Sequence, residues 1–373
     1  DLHSFPTRRS SDLNLCRSCS STKGEIILKG IYDQSTFLIL KVAYLYYIKD
    51  IPQNDIARQL QVSITTVSRL LKKAKEEKIV EFVIRDPYVT CITLEEKLKK
   101  RFDLKDVIIA PSVNEVGFSG ERVDPISAKK LVALEGARYL QRIIRKDDVL
   151  GVTWGSTIYH MINCLNPSQK VDATFVSLHG SIANCADELD VRTLVSRMAK
   201  AFSGRNYFLM TEGLMGSKCA ADMIKKEKNI KAVFEMFKNI NISVTGVGSF
   251  YPTPTSVLAK PSYISASELQ SILDQNVIGD IVLRFFGSEG KECDTELSQR
   301  TISINLELYK KIDRKIVLAS GKEKLHPVLE ALKGGLIDVL VIDYELANLI
   351  LEMNDLSERL RSEERRVGKE CRS

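Results

Sequence analysis

Two sets of side chains carry types and spacings that could do chemistry. The first is a close group: Ser63, Thr65, Thr66, Ser68, Arg69, Lys72 and Lys73. Small hydroxyls contact bases and phosphates, an arginine takes guanine edges, and lysines neutralise phosphates. The second is spread along the chain. Its centre is Gly151-Val152-Thr153-Trp154-Gly155-Ser156-Thr157, echoed by Gly/Ser turns at Gly180, Gly246 and Gly248, with Asp280 and Lys324 further on. Glycines let the backbone turn tightly. Ser156 and Thr157 offer hydroxyls where the next helix presents free N–H groups, the make-up of an anion or phosphate cradle. Taken alone the run reads equally as a plain Gly-rich βα turn, and the recurrence of Gly/Ser turns favours a shared polar pocket. No cluster has metal-ligand spacing: the histidines are only His3, His160, His179 and His326, and the one CxxC, Cys16 and Cys19, has no second pair. No metal and no cofactor is expected.

The elements that must hold the first set are short helices. Leu38, Val42, Leu45 and Tyr46 recur at helical spacing before Pro52. Ile56, Ala57 and Leu60 mark a second helix, and Gln61-Val62-Ser63 a tight turn. Ser63 is placed to cap a third helix by accepting a free backbone N–H. In that helix Val67, Leu70, Leu71 and Ala74 form one apolar stripe. Thr65, Arg69 and Lys72 point away from it, and Thr66, Ser68 and Lys73 flank them. From Arg58 to Lys78 there are six basic residues against two acidic ones. Taken alone, a basic amphipathic helix is most often a solvated surface. Two short helices, a turn and a cap ahead of it make helix-turn-helix spacing, which predicts DNA binding. The run from Ile79 to Ile84 alternates weakly and predicts a strand, placed to be a β-wing.

The elements that must hold the second set alternate. Apolar runs at Val107–Ala110, Val149–Val152, Phe175–Leu178, Ile242–Val247, Ile281–Phe286, Ile316–Ala319 and Val339–Ile342 predict strands. Helical stretches at Ala128–Ile144, Leu189–Phe202 and Lys324–Lys333 lie between them. Continuous apolar strands alternating with helices predict an α/β domain with a buried, mostly parallel sheet. Ligands bind such sheets at the C-terminal strand ends, where these turns fall.

At 373 residues with 44% hydrophobic and 27% charged, the chain has globular composition and room for two domains. No apolar run approaches a membrane span, so a soluble, cytoplasmic protein without a membrane partner is expected. Eight scattered cysteines form no disulfide framework. The net charge of +6 decides little by itself. Residues 1–13 and 362–373 lack apolar periodicity and read as non-native flanks resembling translated adapter sequence.

The segment IPQNDIARQLQVSITTVSRLLKKAKEEKIVEFVI resembles the DNA-binding segment of the SorC family of bacterial sugar-operon regulators. GVTWGST resembles the signature loop of the SorC-type sugar-binding domain. TGVGS, VIGDIVLRFF and ALKGGLIDVLVID are similar as well, so the resemblance spans nearly everything between the flanks. It implies a C-terminal domain with the fold of sugar-phosphate isomerases and a sugar or phosphorylated sugar as effector. Thr153, Gly155, Ser156 and Thr157 would hold the phosphate. Asp280 would accept sugar hydroxyls, and Lys324 would meet phosphate or a sugar oxygen. The chain departs from the family at Ile64, where arginine is common, at Lys322, where a second glycine is usual, and at Met210-Thr211-Glu212-Gly213.

The domains so expected are a (winged) helix-turn-helix over 35–86, a linker helix over 87–103 and a sensor over 104–361. The partners are operator DNA, a sugar or sugar-phosphate effector and further copies of the chain, as a dimer or tetramer. The runner-up is an isomerase-like enzyme, for which Asp280, Asp343, Glu212 and His179 are the available acid–base groups. No paired motif singles them out, so no catalytic residue is assigned.

Overall fold

The computed structural model describes residues 34–80, 89–111 and 125–354. Cys16, Cys19, the two flanks and the 81–84 part of the expected wing lie outside the described residues. The chain divides between Ile84 and Arg85 into two compact units.

The N-terminal unit, the head, contains the helices Gln34–Tyr47, Gln53–Leu60 and Ile64–Glu76. Their apolar stripes meet in a small core of Val42, Ile56, Ala57, Val67 and Leu71. The second helix stops at Gln61, which turns left-handed at φ 55° and hands its N–H to Ala57 and Arg58. The third starts on Ser63, whose hydroxyl accepts the Thr66 N–H at 3.1 Å. A cap of this kind contributes about 1 kcal/mol. Ile79 and Val80 form a bend rather than a strand and pack beside Ala74.

The first described element of the second unit is the helix Val89–Phe102. Its Cys91, Leu94 and Leu98 are buried in the main core of this unit, and Glu95 accepts the Ile109 N–H at 2.8 Å. Helix and sheet are therefore one packed body, and the helix is more than a connector.

Seven parallel strands follow in the order β1-β10-β9-β5-β2-β3-β4. They are β1 (Asp106–Ala110), β2 (Val149–Val152), β3 (Thr174–Ser177), β4 (Arg205–Tyr207), β5 (Ile242–Gly246), β9 (Arg314–Ala319) and β10 (Val339–Asp343). Apolar clusters cover both faces, which is why the strands read as unbroken apolar runs. Strand order reverses between β2 and β5: β3 and β4 lie to one side, β9 and β10 to the other. A crevice opens outside the carboxyl ends of strands at such a reversal.

The run Ile281–Phe286 is not a strand of this sheet. It breaks into β7 (Gly279–Ile281) and β8 (Arg284–Phe286), an antiparallel hairpin that joins β6 (Gly248–Ser249) in a separate small sheet. Val282 and Leu283 make its turn, both left-handed, at φ 51° and 63°.

Candidate functional site

On the head, the third helix turns Thr65, Ser68, Arg69, Lys72 and Lys73 to solvent, as its buried stripe requires. Lys72 and Lys73 pair loosely with Glu76 at 3.8 Å and Glu77 at 3.4 Å, whereas no ion pair is formed by Arg69 among the described residues. Exposed pairs of this kind contribute little and yield to a stronger anion. Ser63 and Thr66 are different. The Ser63 hydroxyl caps the helix and also lies 2.7 Å and 2.8 Å from the Thr65 and Thr66 hydroxyls. These groups shape the helix start, while Ser68, Arg69, Lys72 and Lys73 stand on the exposed face.

In the second unit a cleft of about 150 Å³ opens at the ends of β2, β5 and β9. The loop leaving β2 supplies Thr153, Trp154, Gly155, Ser156 and Thr157. Gly155 precedes the helix Ser156–Asn163 at φ 133°, a conformation that side-chain-bearing residues rarely adopt. The free N–H groups of that helix start on the cleft wall. Thr153 is 3% exposed, and its hydroxyl has no hydrogen-bond partner among the described residues although it lines the cleft. A buried hydroxyl without a partner costs free energy, so this one is held ready for a ligand atom or water.

The opposite wall comes from Gly246 and Gly248, the turn Thr255–Val257, and the β7–β8 hairpin. Asp280 sits in β7 opposite Gly248 and accepts the Ser256 hydroxyl at 2.7 Å. A Cβ at Gly248 would collide with the Asp280 carboxylate, so glycine is required there. Burial pushes the Asp280 carboxyl up from its ordinary range, partly offset by Ser256 and by Lys324. Lys324 stands after β9; burial lowers its pKa, partly offset by Asp280 and Glu323. Two charges that each resist desolvation face the same space, and a ligand bearing hydroxyls and an anion would satisfy both.

Nine of the eleven expected cleft residues meet here. Gly151 and Gly180 do not. Gly151 lies in β2, and a Cβ there would come 2.6 Å from Leu178. At Gly180 a Cβ would come 2.6 Å from the Thr211 carbonyl oxygen, which makes it a packing glycine. Sequence reading also missed Lys129, Ser256 and Leu283. Lys129 comes from the helix Pro125–Ile143 and lies 3.4 Å from the Ser156 hydroxyl. Nothing in its local sequence sets it apart from Lys130 beside it.

Beneath the loop, His179 is fully buried. Its Nε2 accepts the Trp154 N–H at 3.0 Å, and its Nδ1–H donates to the Gly180 carbonyl at 2.7 Å. Burial pulls its pKa down to about 4. It is thus a neutral strut under the cradle. Asp343 is occupied too, accepting the Gly321 N–H at 2.8 Å and the Leu346 N–H at 2.9 Å. Glu212 is exposed elsewhere, so of the four acid–base groups only Asp280 lines the cleft.

Residues 86–352 match the Sugar-bind family model, a sugar-binding domain. The chain is 29% identical over 321 residues to the deoxyribonucleoside regulator of Bacillus subtilis, covering 86% of this chain and 98% of that one. It is 29% identical over 317 residues to the sorbitol operon regulator of Klebsiella pneumoniae, covering 84% and 98%. The chain belongs to the SorC family of sugar-operon regulators. The crystal structure of full-length SorC from Klebsiella pneumoniae superposes with a TM-score of 0.66 at 27% identity, covering 86% of this chain and 99% of that one. Head and sensor are thus both shared with a SorC-family regulator. The regulator reading is supported over the enzyme alternative, because these relatives are named as regulators. No described helix is long and apolar enough to cross a membrane.

Proposed function

We propose that the chain is a cytoplasmic, homo-oligomeric regulator whose head binds operator DNA and whose cleft binds a phosphorylated sugar, without catalysing a reaction on it. One observation carries the effector reading. The Thr153 hydroxyl, unpartnered among the described residues, the helix start at Ser156 and two lysines converge on one cleft, with Asp280 across from them. Phosphate seated at residues 153–157 would draw on backbone N–H groups, hydroxyls and Lys324, while Asp280 accepts sugar hydroxyls. The scattering of His179, Asp343 and Glu212 away from Asp280 supports sensing over isomerisation, which needs a base and an acid around one carbon.

Trp154 is the chain's single tryptophan and lines the cleft. Its ring meets Tyr263 edge-on at 5.5 Å. Its fluorescence therefore reports occupancy. Titration with pentose and hexose phosphates and with the unphosphorylated sugars is the test. A phosphorylated member should change the emission and bind at least tenfold tighter than its parent sugar. In Thr157→Glu a carboxylate in the cradle repels phosphate, so the response should vanish while the fold and DNA binding persist. Equal affinity in wild type and variant would move the ligand elsewhere.

One helix-turn-helix reads few base pairs, and two heads on two half-sites are the general solution. Light scattering at micromolar concentration should give a dimer or tetramer. A monomer, with and without DNA, would overturn the assembly reading.

A further inference from the structure

We infer that Ile64 is a direct reader of thymine, through its methyl groups, at a fixed position of each half-site. The inference rests on the head being a DNA-binding unit and adds the base chemistry it selects. Ile64 is the first residue of the third helix, immediately after the Ser63 cap. Ile64 is apolar yet 46% exposed. The neighbouring apolar residues Val67 and Leu71 are buried in the head core, so the core is closed without it. At 100° per residue Ile64, Ser68 and Lys72 stand in one column along the exposed side, and all three are exposed. Thr65 and Arg69 lie beside that column. Apolar side chain, hydroxyl and cations thus follow one another down a single helix face.

The N-terminal residues of a recognition helix are the ones that meet base edges in the major groove. A branched aliphatic group there has no hydrogen bond to offer. Among the four bases the apolar group it can meet in that groove is the thymine 5-methyl. The Ser63 hydroxyl caps Thr66 and lies 2.7 Å from the Thr65 hydroxyl, so the polar groups next to Ile64 are already engaged with one another. That leaves Ile64 as the apolar tip of the helix start, with Arg69 one turn further on for a guanine edge or a phosphate.

The test uses the full-length chain. Duplexes that it retains are selected from a random pool, and each fixed thymine is then replaced by deoxyuridine, which removes only the methyl group. Binding to wild type should fall about fourfold at one thymine per half-site, the worth of one buried methyl. Ile64→Ala should bind the thymine site about as wild type binds the uracil site, and should lose nothing further on the exchange. Because Ile64 is exposed and outside the core, the variant should keep the wild-type circular dichroism and melting temperature. Selected sites without a fixed thymine, or an equal uracil penalty in both proteins, would overturn the assignment of Ile64 alone. Retention of no sequence over random DNA would overturn the DNA-binding reading together with it.

Discussion

Arg69 and Lys72 share one helix face but have different chemistry, so they should fail differently. Arg69→Ala should weaken operator binding by about 1–3 kcal/mol if the guanidinium reads a base. Lys72→Ala should weaken all sequences alike and reduce the salt slope by about one unit. Gel-shift titrations on operator and random duplexes at several salt concentrations separate the two, and an equal shift in both DNAs would reduce Arg69 to a phosphate contact. His179 makes a second prediction, of opposite character. Its ordinary pKa of 6.5 falls to about 4 in the folded protein. The unfolded chain therefore binds the proton first on acidification. The contribution is present in full above pH 6.5 and lost as pH falls through about 4, up to about 3 kcal/mol. His179→Leu should be less stable at pH 7, since the Trp154 N–H loses its partner, yet flatter between pH 6.5 and 4 in urea denaturation. At this scale the loop was legible as a cleft wall because Gly-x-x-x-Gly-Ser-Thr stands between an apolar run and a helix, at the C-terminal end of a buried strand. Lys129 and Ser256 were not, because each is an ordinary residue on a distant element that the topology brings in. Gly151 and Gly180 fall outside the cleft lining, and a glycine needed for packing looks the same in sequence as one that faces a ligand.

Elements whose surroundings are apolar on both faces announced themselves. β2, β9 and β10 are buried throughout or nearly so, and each matches its apolar run within a residue or two. β4 escaped notice because Arg205, Asn206 and Tyr207 are all exposed at the sheet edge. The hairpin β7–β8 read as one strand for a physical reason: its turn lacks the Gly or Asn that left-handed positions favour. Val282 and Leu283 hold those dihedrals although a left-handed residue costs about 1–2 kcal/mol. Both are buried, at 3% and 1% exposure, and both line the cleft. Burial outweighs strain here, because deleting a buried leucine costs about 2–5 kcal/mol. Leu283→Gly should therefore lose about 1–3 kcal/mol net in spite of its relaxed turn. A variant as stable as wild type, or more so, in urea denaturation would show that the strain is the larger quantity. The same variant should weaken effector binding, since the hairpin also presents Asp280.

For the whole molecule the central quantity is the coupling between effector and operator. Each unit has its own core: Val42, Ile56, Val67 and Leu71 in the head, and the sheet clusters in the sensor. The helix Val89–Phe102 belongs to the sensor through Cys91, Leu94 and Leu98. A sensor cut at residue 85 should thus fold alone and keep its effector affinity. In the full chain the effector should shift operator affinity by about 1–3 kcal/mol, which is about 5- to 150-fold. Linkage then requires saturating operator to shift effector affinity by the same factor and in the same direction. Trp154 allows both halves to be measured on one sample, effector binding by fluorescence and operator binding by anisotropy of a labelled duplex. The isolated sensor should show no shift with DNA, because it has no head to report it. Equal factors in the full chain would establish a closed two-ligand cycle. Unequal factors would show that a third equilibrium is linked, and association of copies is the one to measure first. Repeating both titrations over a tenfold range of protein concentration decides it, since a coupling carried by assembly changes with concentration and one carried within a fixed oligomer does not.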